Sequence, residues 1–75
     1  MNQENKQVVL TYLKKVHDDS DHPEIGVDLQ QILENTKIEE SELKKILNHL
    51  DSQGIIESQI DYQNTHLTNY GSTII

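Results

Sequence analysis

The polar residues between positions 41 and 52 have the types and the spacing that recognition of nucleic acid requires. Apolar residues in this stretch fall on one side of a helix, and a rotation of about 100° per residue from them defines an outward face. This face contains Ser41, Lys45, Asn48 and Ser52, with Lys44 and His49 beside it. Hydroxyl, amide and ammonium groups suit base edges and phosphates. The pattern therefore predicts a helix suited to a major groove.

A second interpretation of the same face is a solvated helix surface that binds nothing. Glu40 stands four residues before Lys44, and Glu42 stands three residues before Lys45. Such pairs stabilise a helix by about 0.2–0.5 kcal/mol each, and they partly neutralise the lysines. The sequence leaves both interpretations open.

The stretch from His17 to His22 is the one cluster with metal-ligand chemistry, since it offers two imidazoles and three carboxylates. It lacks the turn glycine and the acid series of a calcium loop, so we expect a flexible acidic loop and no metal. The chain also has no Cys, no Arg and no glycine-rich phosphate loop. We therefore expect no enzyme activity, no cofactor and no small-molecule substrate.

The net charge of −7 is unevenly distributed along the 75 residues. Residues 1–35 carry −4, residues 36–48 carry 0, and residues 49–75 carry −3, with no Lys or Arg after Lys45. Because phosphate contacts supply most of the sequence-independent affinity for DNA, one copy is expected to bind weakly, and a dimer is the expected binding form.

The elements that position these residues can be read from periodicity and caps. A first helix, with Asn2 as its cap, is expected to end near His17, followed by a short strand at 25–27. Asp28 and Gln31 have capping-box spacing at the start of a second helix. No run of apolar residues is long enough to cross a membrane and the start has no signal-peptide pattern, so a cytoplasmic protein is expected.

The third helix is expected to begin at a cap on Glu39, with Ile38 and Leu43 spaced as a hydrophobic staple, and to end before Gly54. An extended segment at 56–62, a turn at 63–64 and a returning strand at 65–67 would form a hairpin. The polar groups of this hairpin could contact DNA as a wing, or the hairpin could be purely structural, and we expect the second. These polar groups are Gln59, Gln63, Asn64 and His66. Thr68 is a candidate cap for a last short helix.

Two stretches carry a resemblance to a known family. The residues from Leu43 to Ile56, Leu-Lys-Lys-Ile-Leu-Asn-His-Leu-Asp-Ser-Gln-Gly-Ile-Ile, resemble the recognition helix and first wing strand of winged-helix proteins. The later Leu67-Thr68-x-x-Gly71 is similar to the wing exit of MarR-type and PadR-type regulators and of small winged-helix proteins of the YjcQ kind. The resemblance implies an α+β fold. Residues 1–75 would form a single winged helix-turn-helix domain, with three main helices and a small antiparallel β-hairpin, the wing.

Two functions from different classes follow as hypotheses. The first is a DNA-binding module of the transcription-regulator type that reads double-stranded DNA with its third helix. Its site residues would be Lys37, Ser41, Lys44, Lys45 and Asn48. The second is an acidic protein-interaction module with the same fold, whose partner is another protein or a second copy. The apolar C-terminal residues Tyr70, Ile74 and Ile75 would either complete the core against the first helix or contribute to such a partner surface.

Overall fold

The computed structural model describes residues 3–22 and 24–75 as an α+β domain of helices and one antiparallel strand pair. The helices are α1 (Gln3–Asp19), α2 (Leu29–Thr36), α3 (Glu40–Ser52) and α4 (Asn69–Ile74), and the strands are β1 (Ile56–Glu57) and β2 (His66–Leu67). The buried apolar side chains are Val9, Leu13, Val27, Ile32, Ile38, Leu43, Ile46, Leu47, Leu50, Ile55, Ile56 and Leu67. Within the described ranges, none of the helices has the length and apolar character needed to cross a membrane.

Helix α1 continues two residues past its expected end at His17. Negative charge at a helix C-terminus is unfavourable, but Asp18 is compensated there. Its Oδ1 lies 3.1 Å from Nδ1 of His17 and 3.5 Å from Nζ of Lys14. The last turn therefore tolerates its acids. The expected cap at Asn2 lies outside the described residues.

Helix α2 begins as the sequence predicts, but it continues to Thr36, so the turn expected at residues 35–37 is reduced to Lys37 and the two residues after it. The Asp28 carboxylate accepts from the Gln31 N–H at 2.9 Å, and the Gln31 side chain accepts from the Asp28 N–H at 3.1 Å, which completes the predicted capping box. At the other end, Lys37 adopts a left-handed conformation with φ +59°, and its N–H donates to Leu33. This residue redirects the chain towards α3.

Helix α3 ends in a Schellman motif, which confirms the expected role of Gly54. The Gly54 N–H donates to Asp51 at 3.0 Å, and the Ile55 N–H donates to Leu50 at 3.0 Å. Gly54 has φ +74°, a conformation in which a Cβ is strained. The expected N-cap position, Glu39, is also confirmed, although its side chain makes no capping hydrogen bond.

The predicted extended segment 56–62 is wrong beyond Glu57. The chain forms a 3₁₀ turn at Ile60–Tyr62, and Ile60 is 85% exposed. A turn at 63–64 would pair residue 62 with Thr65, but Thr65 instead pairs with Val27. Ile56 is then opposite Leu67 in the antiparallel pair. The predicted strand at 25–27 is reduced to this single bridge at Val27.

Helix α4 starts at the predicted cap, where the Thr68 hydroxyl accepts from the Gly71 N–H at 2.9 Å. Gly71 is buried against Ile55, and the Lys14 ammonium donates to the Ser72 carbonyl at 3.2 Å. The apolar side chains of this end do not complete the core. Tyr70 is 58% exposed and Ile74 is 51% exposed, because the buried position of the helix is occupied by glycine.

Candidate nucleic-acid interface

The two faces of α3 are sharply different in burial. Its apolar side chains, Leu43, Ile46, Leu47 and Leu50, are fully buried in the core. The predicted outward residues, Ser41, Lys44, Lys45, Asn48 and Ser52, are all exposed. The spacing that gives α3 an apolar face every three to four residues therefore also places these polar groups together on one accessible surface.

Two of the outward side chains are engaged with neighbouring carboxylates. The Lys44 ammonium lies 3.3 Å from Oε2 of Glu40, as the four-residue spacing predicts. The Ser41 hydroxyl donates to Oε1 of Glu39 at 2.6 Å. Both contacts are at the solvent-exposed start of α3, where an exposed i,i+4 ion pair contributes only about 0.3–0.5 kcal/mol. These contacts orient the polar groups without fixing them strongly.

Lys45 and Asn48 differ from Ser41 and Lys44 in the contacts that their side chains make. In the ranges 3–22 and 24–75, neither side chain has a hydrogen-bonded or ion-paired partner, so the predicted pair between Glu42 and Lys45 is not formed. The Ser52 hydroxyl, by contrast, donates to the His49 carbonyl at 2.6 Å. Lys45 and Asn48 are consequently the outward groups whose polar atoms can turn to a ligand without breaking a contact in the described part of the chain.

Lys37 joins the site from the connection between α2 and α3. Its left-handed backbone makes the sharp turn, and its side chain is exposed. Only Ile38 and Glu39 separate it from α3. A cation at this point stands near the start of the helix that carries Ser41 and Lys44.

The hairpin presents fewer polar side chains to a ligand than its sequence contains. Gln59 and Gln63 are exposed, but Asn64 and His66 are turned to internal contacts. The Asn64 side-chain oxygen accepts from the Gly26 N–H at 2.5 Å, and the His66 ring lies between the Asn64 carbonyl and Glu57. The expectation of a mainly structural hairpin agrees with these contacts for Asn64 and His66.

The lysines of the candidate interface lie before residue 46, and the charged residues that follow are acidic. The lysines of the candidate interface, at 37, 44 and 45, are followed by Asp51, Glu57 and Asp61 with no further Lys or Arg. Glu57 and Asp61 are exposed on the hairpin. A polyanion approaching α3 therefore meets Lys44 and Lys45 beside the carboxylates of Glu40 and Glu42, and further carboxylates on the hairpin.

The stretch from His17 to His22, which begins in the last turn of α1, does not assemble a metal centre. Across the described residues, no group of three or more His, Asp or Glu side chains is arranged to hold a metal ion. Within this stretch, Nδ1 of His17 lies 3.1 Å from Oδ1 of Asp18. The hydrogen bond from His17, together with the nearby Lys14 charge, lowers the pKa of the Asp18 carboxyl below its ordinary value.

Sequence reasoning missed the contact that joins the hairpin to the segment before α2. Thr65 is fully buried, its hydroxyl donates to the Tyr62 carbonyl at 2.9 Å, and its backbone pairs with Val27. Gly26 is the available signal, because a Cβ there would lie 2.0 Å from the Thr65 oxygen. A glycine next to an apolar residue outside any helix indicates a close backbone approach.

Comparisons of the chain with protein-family models, with curated proteins and with solved structures give no match. The function is therefore argued from the geometry and charges of the residues described above.

Proposed function

We propose that the chain is a winged helix-turn-helix domain that binds double-stranded DNA through α3. The observation that carries the proposal is the exposure of Ser41, Lys44, Lys45 and Asn48 on a helix whose opposite face is fully buried. A helix fixed by its core face presents its donors in a constant geometry. Amide and hydroxyl groups can read base edges, while ammonium groups bind phosphates.

The order and spacing of the elements support this assignment. Helices α2 and α3 are joined by three residues, 37–39, and α3 is followed by an antiparallel pair. In helix-turn-helix proteins the second helix of the pair lies in the major groove and the first crosses the backbone. By that analogy α3 is the recognition helix and the segment 56–67 is the wing.

The ion pair between Glu40 and Lys44 does not oppose DNA binding strongly. Both side chains are about half exposed, and such a pair contributes only about 0.3–0.5 kcal/mol. Lys44 can exchange the carboxylate for a phosphate at small cost. Lys45 and Lys37 supply the two other phosphate contacts that we assign to each copy.

The overall charge of −7 makes binding by a single copy weak and favours a dimer on DNA. Three phosphate contacts per copy predict a slope of log affinity against log salt of about −2.7, and two copies predict about −5.4. Between about 50 and about 200 mM salt, affinity would fall about 40-fold for one copy and about 1,800-fold for two. The slope therefore reports how many copies bind.

The test is a fluorescence-anisotropy titration of the full chain into a labelled mixed-sequence duplex at several salt concentrations. We expect binding at about 50 mM salt, where phosphate contacts are strongest, with a slope near the two-copy value of about −5.4. An absence of binding at that salt concentration would overturn the proposal.

Exposed apolar side chains favour a protein-interaction module as the second candidate. Val8 on α1 is 42% exposed, and Tyr70 and Ile74 on α4 are more than half exposed. In this alternative the acidic hairpin repels nucleic acid, and the domain meets a protein partner or a second copy. A chemical-shift map that stays unchanged at α3 on addition of duplex, but changes at α1 or α4 as the protein concentration rises, would favour self-association over DNA binding.

A further inference from the structure

The imidazole of His66 lies between two acceptors on the hairpin. Its Nδ1 is 2.9 Å from the backbone oxygen of Asn64, and its Nε2 is 3.5 Å from Oε2 of Glu57. A neutral imidazole carries one N–H, whereas an imidazolium carries two. Each neutral tautomer therefore directs a lone pair at one of the two oxygens. Only the protonated ring presents an N–H to both.

We propose that His66 is a proton-controlled clamp on the hairpin. When protonated, the ring holds Glu57 of β1 and Asn64 of the 58–64 loop at the same time. When the proton is lost, one of these two contacts is lost with it. Glu57 is 73% exposed, so water can solvate its carboxylate after the contact is lost, whereas the His66 side chain is only 15% exposed and its ring nitrogen finds water less easily.

The clamp acts on the residue that joins the hairpin to the rest of the fold. Asn64 has a left-handed backbone, φ +50°, and its side chain accepts from the Gly26 N–H. The next residue, Thr65, exchanges backbone hydrogen bonds with Val27 at 2.7 and 2.9 Å. A contact that holds the Asn64 carbonyl in place therefore also holds the attachment of the hairpin to the segment before α2.

The charged groups around His66 are compatible with a proton on its ring. One cavity is lined by His66, Glu57, Glu24 and His17, while α4 carries no charged side chain. Glu57 complements an imidazolium directly, while the Glu24 carboxylate lies 3.5 Å from Nδ1 of His22. His17 has a carboxylate partner of its own, because Asp18 lies 3.1 Å from its ring. Asp18 also lies 3.5 Å from the Lys14 ammonium.

The test is amide hydrogen exchange by NMR, together with the ring titration of His66, from about pH 5 to about pH 8, the range in which histidine changes charge. We expect the protection factors of the Gly26 and Thr65 amides to fall about two- to fivefold as the His66 ring loses its proton, the size of a partly exposed ion pair. The core amide of Leu47 serves as the internal reference.

Three variants separate the clamp from general pH effects. In His66→Gln the hairpin amides should lose their pH response, because the amide side chain has a donor and an acceptor but does not titrate. His49→Gln, which removes an imidazole from α3, should keep the wild-type response. Glu57→Gln leaves the ring in place and should reduce the response, which keeps the test decisive if His66→Gln fails to fold. An unchanged response in Glu57→Gln, or hairpin amides that ignore the His66 titration, would overturn the clamp. No nucleic acid is present, so this outcome is separate from that of DNA binding.

Discussion

The hydroxyl of Thr68 donates to the carbonyl of Gly54 at 2.6 Å and accepts from the Gly71 N–H at 2.9 Å. One side chain therefore satisfies a carbonyl at the end of α3 and an amide at the beginning of α4. The backbone of Thr68 adds a third contact, because its N–H donates to the Ile55 carbonyl at 3.0 Å. The position of α4 relative to α3 is fixed largely at this residue.

Replacing Thr68 by valine should therefore destabilise the domain. The change keeps the shape of the side chain but removes the hydroxyl, and loss of an N-cap hydroxyl costs about 1–2 kcal/mol. The measurement is the free energy of unfolding from urea titration. Thr68→Ser, which retains the hydroxyl, is the matched control and should lose less than half as much. Equal stability of the two variants would show that the cap contributes little.

A methyl group at Gly71 should destabilise the domain although Gly71 lies in a helix. On propensity alone, Gly→Ala in a helix is favourable by up to about 1 kcal/mol. Here the added Cβ would lie 2.0 Å from the Ile55 carbonyl oxygen, and overpacking of this kind costs about 1–3 kcal/mol. The sign of the change in unfolding free energy therefore tests the packing of α4. Ser72→Ala, at the neighbouring position, should change stability by less than Gly71→Ala.

Reversing the charge of Lys45 should weaken DNA binding without affecting the fold. Lys45→Glu removes one phosphate contact from each copy, so we expect affinity to fall about tenfold at low salt and the salt slope to decrease by about one per copy. Lys15→Glu makes the same change in net charge at an exposed position of α1 and serves as the control. If both variants bind equally well, α3 is not the contact surface.

Ionisation of the Tyr12 phenol should lower the stability of the domain at alkaline pH. Burial raises the pKa of the Tyr12 phenol above its ordinary value, and the nearby Asp28 carboxylate raises it further. A group whose pKa is higher in the folded state stabilises fully below its unfolded pKa of about 10, and this contribution is lost as the pH rises through the folded pKa. Thermal unfolding of Tyr12→Phe should therefore be less sensitive to a rise from about pH 9 to about pH 11.

The exposed Tyr70 provides the comparison for that measurement. Tyr70→Phe should keep the wild-type loss of stability over the same interval, because its ring is 58% exposed. If the unfolding temperatures of Tyr12→Phe and Tyr70→Phe fall equally as the pH rises, the environment of Tyr12 does not contribute to the loss of stability.

Helix boundaries were predictable where the signal is local. The carboxylate of Asp28 and the amide of Gln31 are three residues apart, and Gly54 follows the last turn of α3 directly, so short-range rules identify both. The same holds for the outward side of α3, since the periodicity that buries Leu47 also exposes Lys45 and Asn48. These features depend on neighbours along the chain.

The hairpin was less predictable because its shape depends on a distant residue. Alternation from 56 to 62 favours a long strand, but Val27 takes the backbone hydrogen bonds of Thr65. The loop then closes through the Gln59 N–H, which donates to the Gln63 carbonyl at 2.7 Å. The sequence also did not indicate that Asn64 and His66 are held by internal contacts, which makes these two polar groups of the hairpin less available to a ligand.

The bond between Gly26 and Asn64 has a consequence for how the chain folds. The two residues are 38 positions apart, and α2 and α3 lie between them. Helical contacts are local and form early, whereas a contact between distant residues must first offset the entropy of closing the loop. We therefore expect the hairpin to join the segment before α2 late in folding, after the two helices have packed.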